Sequence, residues 1–397
     1  LSKHLELEWL ITDPVMTHHE KKQAFFKQAN LLFALEPNQY SFTAIVRQRQ
    51  RELLDNFPKL ANSNLDKLFN EKASVTYIAN HSLPFPLSGL ALLEQKGIAI
   101  FGDILLCWAE YERWKITNKY QINAQQNSHQ SLLLTEALYH SEIVEHIEDD
   151  ERLFHTLHYD APLLLSDAIA LINIDIFIIE QRWFEMLFCL ELSTKGTHFV
   201  LCYQCQSTSP VLASSALIQN WSQKSQWLSY DTFFNNDNWE SCIPPKASQL
   251  LYQTSVFNAD IIHLTQCNNE HYFSYYIDDT DAVCEVLRLT ISGSKKLRFF
   301  LLFLCQKHLV KQVVNYGKKI TYTIIEQPLM LTLYQALGPE CYINKARLDI
   351  NKTGEVTYKG LWLNESLNKK LATCSYADYK ELVSKQRKIA KEKSFAQ

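Results

Sequence analysis

The sequence predicts a mixed α/β protein, with a largely helical N-terminal region and a sheet-forming C-terminal half. Three observations carry this. Residues 1–75 place apolar side chains near helical spacing, in HEKKQAFFKQANLLFAL and FTAIVRQRQRELLDNF. Near residue 165 the texture shifts to β-branched and aromatic runs. From residue 258 strand-like runs and helical runs follow one another in an orderly series. The expected division is 1–165 and 166–397, with the best-defined core at 258–363.

The elements read as follows. After the N-terminal helices, SVTYIA (74–79) reads as a strand and HSLPFPLSG as a proline-broken loop. Helices are expected to resume from GDILLCWAEYERW through SLLLTEALYHSEIVEHI. INIDIFII, WFEMLFCLEL and THFVLCYQCQS read as strands, the last two joined by the turn STKG. A polar Asn- and Ser-rich stretch, about 206–248, reads as a loop or insertion ending at Pro244 and Pro245. ADIIHLTQ and HYFSYYID are expected to form a hairpin around CNNE, and AVCEVLRLTI (282–291) a third strand. A long helix runs from the N-cap Ser294 to a stop at Gly317. KKITYTIIEQ is a strand and PLMLTLYQALG a short helix, with Pro328 in its first turn and Gly338 closing it. YINKARLDI and EVTYKGLWL close the series as a hairpin around NKTG, and a basic helix finishes the chain at 376–393. From 258 the expected order is β-β-β-α-β-α-β-β.

Composition narrows the function classes. The chain has 397 residues, 47% of them hydrophobic, enough for one large or two smaller cores. A net charge of −4 and a pI of about 6.4 are less basic than a general nucleic-acid binder. The longest apolar region, 161–179, carries Asp167, Asn173 and Asp175, so no membrane span is expected. The opening LSKHLELEWL lacks the basic-then-apolar pattern of a signal peptide. Cysteines occur singly inside apolar runs, as at Cys107, Cys189, Cys284 and Cys305, which points to reduced thiols in the cytoplasm. Cys202 and Cys205 are splayed by strand parity, and no second pair completes a zinc site. The histidine clusters HTLHYD, HSEIVEH and THHE lack a third ligand, so no metal is expected.

The strand AVCEVLRLTI raises a chemical question, because it holds two charged residues in an apolar run. Alternation puts Glu285 with Leu287, Leu289 and Ile291, and Arg288 with Cys284, Val286 and Thr290 on the other face. Both faces read as covered. A carboxylate in such a place is desolvated and suited to taking a proton. Pairing with partners elsewhere in the fold, or a position at a frayed sheet edge, fits the spacing equally well.

The element order, with Leu333, Tyr334 and Gly338 in TLYQALG, resembles the second half of a GNAT-type N-acyltransferase, a fold with a splayed mixed sheet. The segment EVLRLTI, immediately before the long helix, resembles the E-x-x-R strand of acyl-homoserine-lactone synthases, which are built on that fold. Length and the large N-terminal region resemble the LuxM/AinS type more than the shorter LuxI type. The junction ISGSKKL holds only Gly293, where GNAT acetyltransferases carry a glycine-rich pyrophosphate loop.

The resemblance implies a cofactor-free acyltransferase that makes a quorum-sensing autoinducer. Its substrates are S-adenosylmethionine and acyl-CoA or acyl-carrier protein, and methylthioadenosine is released. It implies that Glu285 deprotonates the amine and that Tyr334 protonates the leaving thiolate. Arg288 supports acids of the substrate pocket, and Asp278, Asp279 and Asp281 grip the ammonium group. A solvated turn would hold the same three acids. Ser294, Lys295, Lys296 and Arg298 open the long helix, where N–H groups and cations favour the phosphate of phosphopantetheine. Lys380, Lys385, Arg387, Lys388 and Lys391 offer charge to an acidic carrier protein, or simply a solvated helix. An N-acyltransferase with another amine acceptor, and a non-catalytic binding protein on the same fold, remain as alternative readings.

Overall fold

The computed structural model describes residues 16–61, 63–122, 132–204, 210–325, 328–349 and 356–395. They form two compact units: the described residues of Leu1–Asn127 with His158–Thr194, and those of Ser128–Leu157 with Lys195–Gln397.

The first unit is helical: α1 (His18–Leu35), α2 (Phe42–Asn56), α3 (Leu65–Asn70), α4 (Lys72–Asn80), α5 (Ala91–Phe101), α6 (Ile104–Lys119) and α7 (Leu165–Asn173). Side-chain caps start several of them. Thr17 and Glu20 form a capping box on α1, Ser41 accepts from Ala44 N on α2, and Asp103 accepts from Leu106 N on α6. Phe25, Phe26, Phe42, Trp108, Tyr111 and Trp114 fill the core.

Three expected strands are helical here. SVTYIA lies in α4, where Ser74, Tyr77 and Ile78 turn inward at i, i+3, i+4 while Val75 is half exposed. Short apolar runs do not separate strand from helix by period alone. INIDIFII continues α7 as a π-helix, Ile174–Glu180. Ile172, Ile174, Ile176 and Ile178 are all buried, and that alternate spacing imitates a strand. WFEMLFCLEL falls largely in 3₁₀ turns, Phe184–Ser193, kinked at Cys189.

The second unit is built on a mixed sheet. Its strands are β1 (Tyr139–Val144), β2 (Leu153–Thr156), β3 (His198–Tyr203), β4 (Val211–Asn220), β5 (Glu240–Ser241), β6 (Val283–Leu287), β7 (Ile320–Ile325), β8 (Tyr342–Asp349) and β9 (Val356–Leu363). The spatial order is β1-β3-β4-β6-β7-β9-β8-β5, with β2 beside the start of β4. β6 and β7 are parallel, as are β2 and β4, and the other pairs are antiparallel. The helices are α8 (Ala247–Gln253), α9 (Glu270–Ser274), α10 (Lys295–Asn315), α11 (Pro328–Gln335), α12 (Asn364–Ala372) and α13 (Tyr376–Phe395).

The long helix α10, its Ser294 cap, the parallel strand β7, the helix α11 and the hairpin β8–β9 agree with the sequence reading. Gly317 and Gly338 both take positive φ, where glycine is unstrained. The NKTG turn and Cys205 lie outside the described residues.

β3 lies within THFVLCYQCQS, as read, but its antiparallel neighbours β1 and β4 come from elsewhere than expected. Within 132–147, expected to be helical, β1 pairs with β3, and its Tyr139, Ile143 and Val144 suit a strand. The expected loop 206–248 contains β4, a central strand with small residues Ala213, Ser214, Ser215 and Ala216. The expected hairpin at 259–278 is a 3₁₀ turn, Ala259–His263, and α9, joined only by an isolated bridge between Phe257 and Ile277. Its apolar residues Ile261 and Phe273 bury against the sheet instead.

Two cores lie on the sheet's two faces. On one, Cys284, Val286 and Trp362 pack beneath α10, α11, α12 and α13. On the other, Val283, Tyr322, Ile343 and Leu361 pack beneath the segment 221–277.

β6 leaves the ladder early. Leu287 faces Leu217 in register, Arg288 then takes φ +55°, and Thr290 pairs with Ser215, one residue out of step. This is a bulge, so alternation no longer assigns a face to Arg288 or the residues after it. Thr290 fixes the exit from both sides. Its N–H donates to Ser215 O (2.9 Å), its Oγ1 accepts from Ser215 N (2.9 Å), and its carbonyl accepts from Ser214 Oγ (2.6 Å). T290V strands the buried Ser215 N–H and is expected to cost about 1–3 kcal/mol, whereas T290S keeps the bond. Urea midpoints of the two variants check this, and equal midpoints would contradict it.

Candidate active site

Glu285 is the buried charge around which the second face is organised. It is fully buried on β6. Its Oε2 accepts from Leu228 N (2.7 Å), and its Oε1 accepts from Ser229 N (2.9 Å) and from Ser229 Oγ. These donors come from a 3₁₀ turn, Leu228–Tyr230, which Trp227 pins by donating Nε1–H to Asn220 O (3.1 Å). Burial pushes the Glu285 carboxyl up to about 7, against the pull of the Ser229 and Leu228 bonds. The Glu270 charge pushes the same way as burial.

Glu270 is itself buried, on α9, and paired with Lys345 of β8 and Lys359 of β9. Lys359 Nζ also donates to Phe234 O (2.8 Å) and Asn268 O (2.7 Å). Lys345 Nζ stands over the rings of Phe273 (3.9 Å) and Tyr322 (4.7 Å). The face thus carries two carboxylates and two ammonium groups among aromatic rings. Sequence reading missed Leu228, Ser229 and Glu270, because they lie in stretches read as loop and hairpin.

Glu285 sits where β6 and β7 part. Their parallel register pairs Val283, Cys284 and Glu285 with Ile320, Thr321 and Tyr322, and goes no further. Past that point the two strands leave a gap in the sheet.

The other expected site residues are spread around this point. Asp279 caps a 3₁₀ turn by accepting from Ala282 N (3.2 Å). Asp279 and Asp281 line an open cavity of about 510 Å³ with Asn220, Trp221, Tyr316 and Lys318. Asp278 is exposed beside it and is not part of the lining, and neither is Glu285. Ser294 accepts from Leu297 N (3.3 Å), and Lys295, Lys296 and Arg298 are exposed on the first turn of α10. Arg288 sits in the bulge, half-buried. Tyr334 is buried on the helix-covered face, against Tyr342 and Trp362, and burial raises its phenol above the usual range. Glu285 and Tyr334 are therefore not brought together on one face.

Comparison with known proteins decides the family. The acyl homoserine lactone synthase family matches residues 19–392. The chain belongs to that family. It is 35% identical over 353 residues to the acyl-homoserine-lactone synthase LuxM of Vibrio campbellii, covering 87% of this chain and 88% of that one. It is 33% identical over 348 residues to the synthase OpaM of Vibrio parahaemolyticus, covering 86% of each. It is 31% identical over 379 residues to LuxM of Vibrio atlanticus, covering 94% and 95%. No solved structure matches. This LuxM-type synthase is an acyltransferase of autoinducer production. Among its described residues no helix is long and apolar enough to cross a membrane.

The raised carboxyl has a measurable consequence. The folded protein holds the Glu285 proton more tightly than the unfolded chain does. Its contribution to stability is full below about pH 4.5 and is lost as pH rises through about 7. The parent's urea midpoint is expected to fall across this window more steeply than that of E285Q. E285Q is also less stable at low pH, because a glutamine has one acceptor oxygen and turns its amide toward Leu228 N–H. Parallel pH profiles for parent and variant would contradict the assignment.

Proposed function

We propose that this synthase acylates the amine of S-adenosylmethionine with an acyl group from acyl-CoA or acyl-carrier protein, then closes the lactone. The observation that carries the reading is the buried Glu285 carboxylate, raised toward neutrality, at the point where β6 and β7 part. Glu285 takes a proton from the substrate ammonium, directly or through water. The free amine attacks the thioester carbonyl, and the C–S bond breaks as the C–N bond forms. The methionine carboxylate then displaces the sulfonium, which leaves as methylthioadenosine. No cofactor beyond the two substrates is needed.

The two faces of the sheet support a division of labour. The start of α10, with Ser294, Lys295, Lys296 and Arg298, lies with the helix-covered face and suits the donor's phosphate. Tyr334, on that same face, keeps its proton because it is buried, and it serves the departing thiolate. Glu285 works from the other face, so the amine approaches opposite the leaving sulfur. The carbonyl sits in the gap between, where backbone N–H groups of the parting strands can receive the developing oxyanion. Asp278, Asp279 and Asp281 place negative charge near the cationic acceptor, whose ammonium and sulfonium are both positive. Arg288 holds carboxylates of the pocket with its planar fork. Buried free thiols such as Cys107, Cys284 and Cys305 suit a reducing compartment, the cytoplasm.

Incubation with S-adenosylmethionine and mixed acyl thioesters tests the reaction, with methylthioadenosine release and the lactone mass as readouts. E285Q is expected to lose about 10²–10⁴-fold in acylation rate while still binding substrate. K295A with K296A is expected to raise KM for the acyl donor alone. A folded E285Q with parental turnover, or a rise in KM for S-adenosylmethionine only, would contradict these assignments.

The exposed cations of α13 distinguish the two donors. Tyr379 and Val383 of this helix are core residues, and Gln306 Nε2 donates to Tyr379 Oη (2.9 Å), so truncation would damage the fold. Charge reversal at Lys380, Lys385, Arg387 and Lys388 leaves the core intact. With acyl-carrier protein it is expected to lower kcat/KM and flatten its salt dependence. With acyl-CoA it is expected to change little. Equal losses with both donors would rule out docking on this helix.

A further inference from the structure

The row of residues running through Glu285 across the sheet contains more than the carboxylate. In register, Gln219 of β4 faces Glu285, and Glu285 faces Tyr322 of β7. Cross-strand partners point to the same face, so all three side chains lie beneath the segment 221–277. Gln219 and Tyr322 are each 1% exposed. Among the described residues, neither amide atom of Gln219 nor the Tyr322 hydroxyl has a hydrogen-bond partner. Glu285 is satisfied by three bonds, yet the polar groups on both sides of it are not.

Such groups are costly to leave unmade. Each unpaired buried polar atom gives up its bonds to water without replacement, so three of them in one row oppose folding. A leucine and a phenylalanine would fill the same places without that cost. The groups also define what would satisfy them. Gln219 Oε1 needs a donor, Gln219 Nε2 needs an acceptor, and the Tyr322 hydroxyl is short of a partner of either kind. A thioester carbonyl offers acceptors only. The amino-acid end of a nucleophile offers both, an ammonium to donate and a carboxylate to accept. Local charge agrees with such a ligand. Lys345 Nζ lies over the Tyr322 ring, and the face sets the ammonium groups of Lys345 and Lys359 beside the carboxylates of Glu270 and Glu285, groups of both signs as a zwitterion has.

We propose that Gln219 and Tyr322, with Glu285 between them, form the subsite for the α-amino-acid end of the acceptor substrate. The ammonium is held by Glu285 and the Gln219 carbonyl. The carboxylate is held by the Tyr322 hydroxyl and the Gln219 amide N–H groups. This orients the amine toward the gap between β6 and β7, and it keeps the carboxylate aside until the lactone closes. The inference rests on the reading that S-adenosylmethionine is the acceptor.

The test uses the full chain, with calorimetric binding of S-adenosylmethionine, steady-state kinetics and urea unfolding. Gln219→Met and Tyr322→Phe keep shape and remove the polar atoms. Each is expected to weaken S-adenosylmethionine binding by about tenfold or more. KM for the acyl donor should stay within about twofold, and the urea midpoint should hold or rise, since no internal bond is lost. The variants are independent, so one that fails to fold leaves the other to decide. Parental binding of S-adenosylmethionine by a folded variant overturns the subsite and assigns the row to packing and ordered water alone. Equal rises in both Michaelis constants also overturn it. A parent protein that does not bind S-adenosylmethionine at all removes the reading beneath it, and the subsite with it.

Discussion

A carboxylate cannot remain inside an apolar sheet unless donors are brought to it. In this synthase the donors are the N–H groups of Leu228 and Ser229 and the Ser229 hydroxyl. Much follows from that one set of bonds. The 3₁₀ turn that supplies them sits against the sheet, with Trp227 packed on Tyr322 beside it. The irregular segment 221–277 is thereby held over one face, and it carries Glu270 and Phe273 into the same layer. Three good hydrogen bonds would ordinarily hold a carboxyl low. Complete burial outweighs them and leaves the group poised near neutrality.

The two faces of the sheet differ in character. With α10 and α11 go apolar packing, the buried Tyr334 and the exposed cations that open α10. Beneath 221–277 lie the titratable groups. Between them, β6 and β7 pair only over Val283–Glu285 and Ile320–Tyr322. The bulge at Arg288 and the re-pairing of Thr290 with Ser215 end β6 at that point. A reaction in which the nucleophile and the leaving group stand on opposite sides of a carbonyl is well served by such a partition.

How much of this was legible in the sequence depended on periodicity. The long helix α10, the strand β7 and the hairpin β8–β9 have strong patterns and clean caps, and Glu285 stood out as a charge in an apolar run. The same patterns failed where burial was complete. The end of α7 and its π-helical extension bury Ile172, Ile174, Ile176 and Ile178 at alternate positions, so INIDIFII looked like strand. β4 is central, but its serines and alanines looked like loop, because the partner of Ser215 is Thr290, far along the chain. The cover of the polar face gave either no periodic signal, as in 221–248, or a misleading strand-like one, as in 259–278. Its residues are placed by long-range contacts to Glu285, Lys345 and Lys359. Leu228, Ser229, Glu270 and Gln219 were therefore invisible as candidate site residues, while Tyr322 could have been placed from the alternation of β7.

The most direct test is a crystal structure of the protein with S-adenosylmethionine and a non-reactive acyl-thioester analogue. The account predicts the substrate amine within hydrogen-bond reach of a Glu285 oxygen, about 2.6–3.2 Å or through one water, with the thioester carbonyl between β6 and β7. An amine bound away from Glu285, with that carboxylate still occupied only by Leu228 and Ser229, would contradict it.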